Sequence, residues 1–181
     1  MSWIDTFLGG GPDYAAEDRT IADVQHLFLN AGLGEGLPLR QAQDFAGVSA
    51  QFMSDPKLFA MAVAAIEGPH FPSRAEGTAE HLVIEDARIA MAGSAMVDSF
   101  AKGAVRVVLH NLDWPQLLWP ILVHAQKVYG HGFEFSKPGA RTIMVSKVAK
   151  TLQSTGEPQA VPSEPLARLE QLASKAPKKP A

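Results

Sequence analysis

Cysteine is absent from this chain of 181 residues. That excludes disulfide staples, thiolate nucleophiles and cysteine-bound zinc, and it suits a reducing cytoplasm. An excess of positive charge is missing too: 16 Lys and Arg stand against 19 Asp and Glu, for a net charge of −3. Nucleic-acid binders normally carry a basic surface, so that class is set aside. No apolar run approaches the roughly 20 residues that a membrane-spanning helix needs. The opening Met1 to Gly10 lacks the basic start and the long apolar stretch of a secretory signal. A cytoplasmic protein with no membrane span is the expectation. The Gly-x-Ser-x-Gly elbow of serine hydrolases is also missing, since Gly93-Ser94-Ala95 and Val145-Ser146-Lys147 do not complete it. No two of the 6 histidines have the His-x3-His spacing that puts two imidazoles on one helix face. Neither a metal nor a cofactor is therefore expected.

What is present is an ordinary globular composition, 46% hydrophobic. The length suits one domain with an adequate core. The segment Val105 to Gly130 is the most telling. Val105-Arg106-Val107-Val108-Leu109-His110 reads as a strand and Asn111-Leu112-Asp113 as a polar turn. An apolar helix then runs from Trp114 to Tyr129, with a kink or restart expected at Pro120. A strand leading straight into a helix usually belongs to a sheet with helices packed on it.

Residues 1–19 read as a flexible N-terminal arm, either anchoring to a partner or folded back on its own core. Residues 20–150 form a single α+β domain, helical over 20–68 and β/α over 80–148. Thr20 can cap a helix carrying Val24, Leu27, Phe28 and Ala31 at helical spacing. The alternating glycines Gly32, Gly34 and Gly36 follow a helix rather than a strand, so they read as a connector and not as a phosphate cradle. Pro38 opens a second helix reaching Met53, and Asp55-Pro56 opens a third that stops at Gly68-Pro69. After a Gly/Pro/Ser-rich break come a strand from His81 and a helix over Ala87 to Lys102. The 105–110 strand and the helix of 114–129 follow. Two closing strands, His131 to Ser136 and Arg141 to Val148, are joined by a Lys137-Pro138-Gly139 turn. Val107, Leu109, Phe133 and Val145 are the expected sheet core. Residues 151–181 turn to Pro, Ser, Ala, Glu and Lys and read as a disordered tail. A short-helix candidate at 164–174 could dock on a protein partner through Leu166, Leu169 and Leu172.

Chemistry, if any, belongs at a strand edge. Open α/β sheets hold ligands beyond the carboxyl ends of their strands. In a parallel arrangement the ends at Glu85-Asp86, His110-Asn111-Asp113 and Ser136-Lys137 meet on one edge. The candidate ligand-binding residues are His110, Asn111, Asp113, Lys137 and Arg141. A histidine near a carboxylate is what a general base needs. Lys137 or Arg141 can supply a cation for an acidic ligand. Asp113 has a structural alternative as cap of the Trp114 helix. Trp114 and Trp119 read as packing anchors.

Ala31-Gly32-Leu33 with Gly36-Leu37-Pro38, Ala42 and Asp44-Phe45-Ala46 resembles an uncharacterised bacterial protein family of unknown function. In that family an alanine-rich helix precedes a Gly-Ala-Gly-Leu-Pro signature and a further helix. Asp113-Trp114 and Tyr129 through Phe135-Ser136-Lys137-Pro138-Gly139-Ala140 resemble its later half, with Lys137 where the family has arginine. The resemblance spans residues 20–148 and implies no activity.

The fold class expected is α+β. A helical N-terminal part packs with a small mixed sheet of about four strands carrying two helices. The function expected is a non-catalytic accessory or assembly protein, or a small-molecule binder. The alternative is a small-molecule enzyme using acid–base residues around His110.

Overall fold

The computed structural model describes residues 2–11, 14–68, 70, 73–149 and 151–178. The elements run in the order α1 (Trp3–Gly9), β1 (Ala16–Glu17), α2 (Ile21–Gly34), α3 (Leu39–Gly47), α4 (Ser49–Phe52) and α5 (Pro56–Ile66). Then come β2 (Arg74–Gly77), β3 (His81–Glu85), α6 (Ile89–Ala101), β4 (Arg106–His110), a 3-10 turn at Pro115–Leu117 and α7 (Leu118–Tyr129). The chain closes with β5 (Gly132–Gly139), β6 (Thr142–Val148), β7 (Val161–Pro162) and α8 (Ser163–Ala173). The class is α+β, as expected. The chain divides into a helical unit, Met1–His70 with Thr155–Ala181, and a sheet unit, Phe71–Ser154.

In the helical unit the caps fall where the sequence places them. The Thr20 hydroxyl accepts the Asp23 N–H at 3.1 Å. Asp55 accepts the N–H groups of Lys57 at 2.7 Å and Leu58 at 3.2 Å, with Pro56 at the first helical position. The expected helix from Pro38 to Met53 instead breaks at Val48 into α3 and α4. There the buried Ser49 hydroxyl donates to the Ala46 carbonyl at 2.6 Å, a local bond that competes with a continuous ladder. Phe28 sits at the centre of the core, with Phe45, Phe52 and Phe59 rings 5.6–6.0 Å away.

The described residues of both expected loose ends are structured. At the start, α1 carries a capping box between Ser2 and Asp5, buries Ile4 and packs beside α5. The Trp3 indole N–H donates to Glu67 at 2.7 Å. The arm is thus folded back on its own unit. At the end, residues 151–178 are packed and paired where a disordered tail is expected. Thr155 donates to the Gln51 side chain at 2.6 Å, and the Gln159 N–H donates to the Met53 carbonyl at 2.9 Å. β7 pairs antiparallel with β1. The candidate helix exists as α8, but Leu166, Leu169 and Leu172 are buried against α2 and α5 rather than open to a partner. Composition misleads here because three leucines at one spacing suffice when two helices of the same unit cover them. Gly34, the last residue of α2, permits the close approach at the C-terminal end of α8: a Cβ there would stand 2.6 Å from the Leu172 carbonyl oxygen. Lys175 and Glu35 pair at 2.6 Å, and Arg168 pairs with Glu67. The stop expected at Gly68-Pro69 lies partly outside the described residues, which omit Pro69.

The sheet unit is a five-stranded mixed sheet in the order β2-β3-β4-β6-β5. β3 and β4 are parallel, with α6 as their crossover; the other pairings are antiparallel. Within this sheet β2 is the strand missed by sequence, inside the Gly/Pro/Ser-rich break. Successive strand residues point to opposite faces. Ile84, Val107, Leu109, Ile143, Val145 and Phe133 are buried on one face. The helices lie there too, since Phe100 of α6 meets Phe133 at 5.1 Å and Trp119 of α7 meets Phe135 at 5.9 Å. Pro120 is the third residue of α7, where its missing N–H costs no helix bond, so the restart falls earlier, at the Pro115–Leu117 turn. The hairpin turn also moves. β5 continues through Lys137 to Gly139, with an irregularity after Ser136, and Ala140-Arg141 makes the turn. Pro138 cannot donate to a ladder, and β5 is an edge strand, where such a defect is tolerated.

Candidate functional site

The parallel strands β3 and β4 end side by side at Glu85 and His110. The next residue of each, Asp86 and Asn111, takes a left-handed backbone, φ +48° and +51°. Asp and Asn are the non-glycine residues that tolerate that region best. Their side chains meet: the Asn111 amide donates to Asp86 Oδ1 at 3.0 Å. The two loops are latched together by backbone bonds, Ala87 N–H to the His110 carbonyl at 3.0 Å and Asp113 N–H to the Ala87 carbonyl at 3.1 Å. The Asn111 N–H reaches the Arg141 carbonyl at 2.8 Å and ties the strand end to the hairpin turn. Because β6 lies next to β4, that turn stands directly beside the loop.

Between them lies a cavity of about 500 Å³. Asp86, Asn111 and Pro115 form one side, and Lys137, Arg141 and Thr142 belong to the other. Its size falls in the range of about 300–1,000 Å³ usual for small-molecule sites. Among the described residues neither Lys137 nor Arg141 is in an ion pair. The lining thus carries two cations and one carboxylate.

Three of the five expected site residues, Asn111, Lys137 and Arg141, line this cavity. His110 does not. It alternates with the buried Leu109 and so lies on the sheet face opposite α6 and α7. Its Nδ1 is 3.0 Å from the Thr142 hydroxyl and its Nε2 3.7 Å from Glu85. It reaches the cavity only through Thr142. Asp113 is a cap, as its structural alternative held, but of a different helix: its Oδ1 accepts the Ile89 N–H at the start of α6 at 2.6 Å. Arg88 stands 3.7 Å from the same carboxylate. Trp114 takes a left-handed φ of +43° and precedes the 3-10 turn, so no capped α-helix begins there.

Asp86 and Thr142 are the lining residues absent from the sequence-based set. Asp86 carries a signal, an acidic residue just past a strand run, but a helix-dipole role explains it equally well. Thr142 reads simply as a strand residue. Among the described residues no group of three His, Asp or Glu side chains is placed to hold a metal. No helix among them is long and apolar enough to cross a membrane.

No family model matches the chain, and no curated protein matches it. Among solved structures it is similar to the malate dehydrogenase from Entamoeba histolytica, at 10% identity and a TM-score of 0.43. The match covers 87% of this chain and 62% of that one. Likeness at that level carries no argument about activity.

Proposed function

We propose that this protein is a cytoplasmic small-molecule-binding protein. Its ligand carries an anionic oxygen group, phosphate or carboxylate, held in the cavity beyond β3 and β4. One observation carries the reading: Lys137 and Arg141 line that cavity free of ion pairs among the described residues. Charge-assisted hydrogen bonds to phosphate or carboxylate are the strong ones, and a guanidinium matches either group in a fork. The lack of a catalytic motif in the sequence favours binding over turnover. The burial of Leu166, Leu169 and Leu172 removes the main motive for an assembly role.

Calorimetric titration of the full chain with inorganic phosphate and with acetate tests this. Arg141→Ala should weaken the better of the two by about tenfold, the value of one hydrogen bond to a charged group. Equal affinity in the wild type and in a Lys137→Ala/Arg141→Ala double variant would dismiss the reading.

A second reading is favoured by the row Glu85, His110 and Thr142. A carboxylate beside an imidazole beside a hydroxyl can serve as a general-base relay. Turnover of a p-nitrophenyl ester or phosphate that His110→Gln abolishes would replace binding with catalysis.

A further inference from the structure

We infer that the ligand is a polyhydroxylated anion, a sugar phosphate or a sugar acid, whose hydroxyls are taken by Asp86; this rests on the anion reading above. The cavity is lopsided. Lys137 and Arg141 come from the hairpin, while Asp86 and Asn111 come from the strand ends. A bare anion is served by the cations alone, and a carboxylate in the same cavity repels it. Asp86 has no countercharge among the described residues: its Oδ1 accepts from an uncharged amide at 3.0 Å, and it is in no ion pair there. An ionised carboxylate accepts through both oxygens, about four lone-pair sites in all, and it never donates. The group facing Asp86 must therefore be a donor. The Asn111 carboxamide adds an acceptor of its own beside the carboxylate, and two adjacent acceptors suit neighbouring hydroxyls on one carbon chain.

Full-length protein is titrated calorimetrically with ribose 5-phosphate and gluconate, and in parallel with inorganic phosphate, acetate and the zwitterion glycine. At least one hydroxylated ligand should bind about tenfold or more tightly than the simple anion with the same head group, and which one does so identifies that group. Asp86→Asn and Asp86→Gly should erase that advantage and leave the simple anion bound as well or better. Both substitutes accept a left-handed backbone, so the fold is kept. No advantage for either hydroxylated ligand, or an advantage that survives both variants, overturns the inference while leaving the anion reading intact. Tighter binding of glycine than of gluconate overturns it in favour of a zwitterionic ligand. Absence of binding by all four anions overturns the anion reading and this inference together.

Discussion

Leu169→Ala asks whether the end of the chain belongs to the helical unit. Leu169 is 0% exposed, and its neighbours on the same face, Leu166 and Leu172, are 1% exposed each. A buried Leu→Ala costs about 2–5 kcal/mol, the spread reflecting how far the site collapses. Here α8 is a single terminal helix lying on α2 and α5, so partial closure is open to it, and about 3 kcal/mol is expected. For a unit of about 60–100 residues each kcal/mol moves the midpoint by about 4–8 °C, so the thermal transition should fall by roughly 12–24 °C. Urea unfolding of the full chain, followed by far-UV circular dichroism, gives the free energy directly. Gly34→Ala is the companion. Alanine favours a helix over glycine by about 1 kcal/mol, yet its Cβ meets the Leu172 carbonyl, so net destabilisation is expected. A Leu169→Ala cost below about 1 kcal/mol, or a stabilised Gly34→Ala, would refute the docking of α8.

Phe133→Ala should cost about 3–5 kcal/mol in the sheet unit, because the ring is 1% exposed and packs on Phe100; urea unfolding measures it. Asp113→Ala should cost about 0.5–2 kcal/mol by uncapping α6, with Asp113→Asn recovering most of it. Hydrogen bonds from the Ser2 hydroxyl and then from the Ser2 N–H hold the Asp5 carboxyl below its ordinary value of 3.8. The capping box of α1 therefore contributes fully above pH 3.8 and is lost as pH falls through the lowered value. An NMR titration of Asp5 should show that value rising toward 3.8 in Ser2→Ala.

The sheet core was legible because Val107, Leu109, Phe133 and Val145 alternate along strands, a pattern that burial on one face imposes. Caps at Thr20 and Asp55 were legible for a similar reason, since their bonds are local. The end of the chain was not. Its burial rests on partners far away along the chain, α2 and α5 and the close approach at Gly34, 138 positions before Leu172, and composition cannot see distant partners. The site divides along the same line. Asn111, Lys137 and Arg141 follow from strand ends and a hairpin adjacent in space. His110 leaves the set because one step along a strand reverses the side chain. Asp113 leaves it because its partner, the Ile89 N–H, is 24 positions away. Asp86 enters it because a left-handed turn brings its carboxylate to Asn111.

Chemical-shift mapping on uniformly 15N-labelled full-length protein tests the central claim most directly. With sulfate as the titrant, saturable shifts should concentrate on the amides of Asp86, Asn111, Lys137 and Ala140 to Thr142, and they should vanish in the Lys137→Ala/Arg141→Ala double variant. Shifts scattered over both units and growing linearly with sulfate, or saturable shifts that persist in that variant, would contradict it.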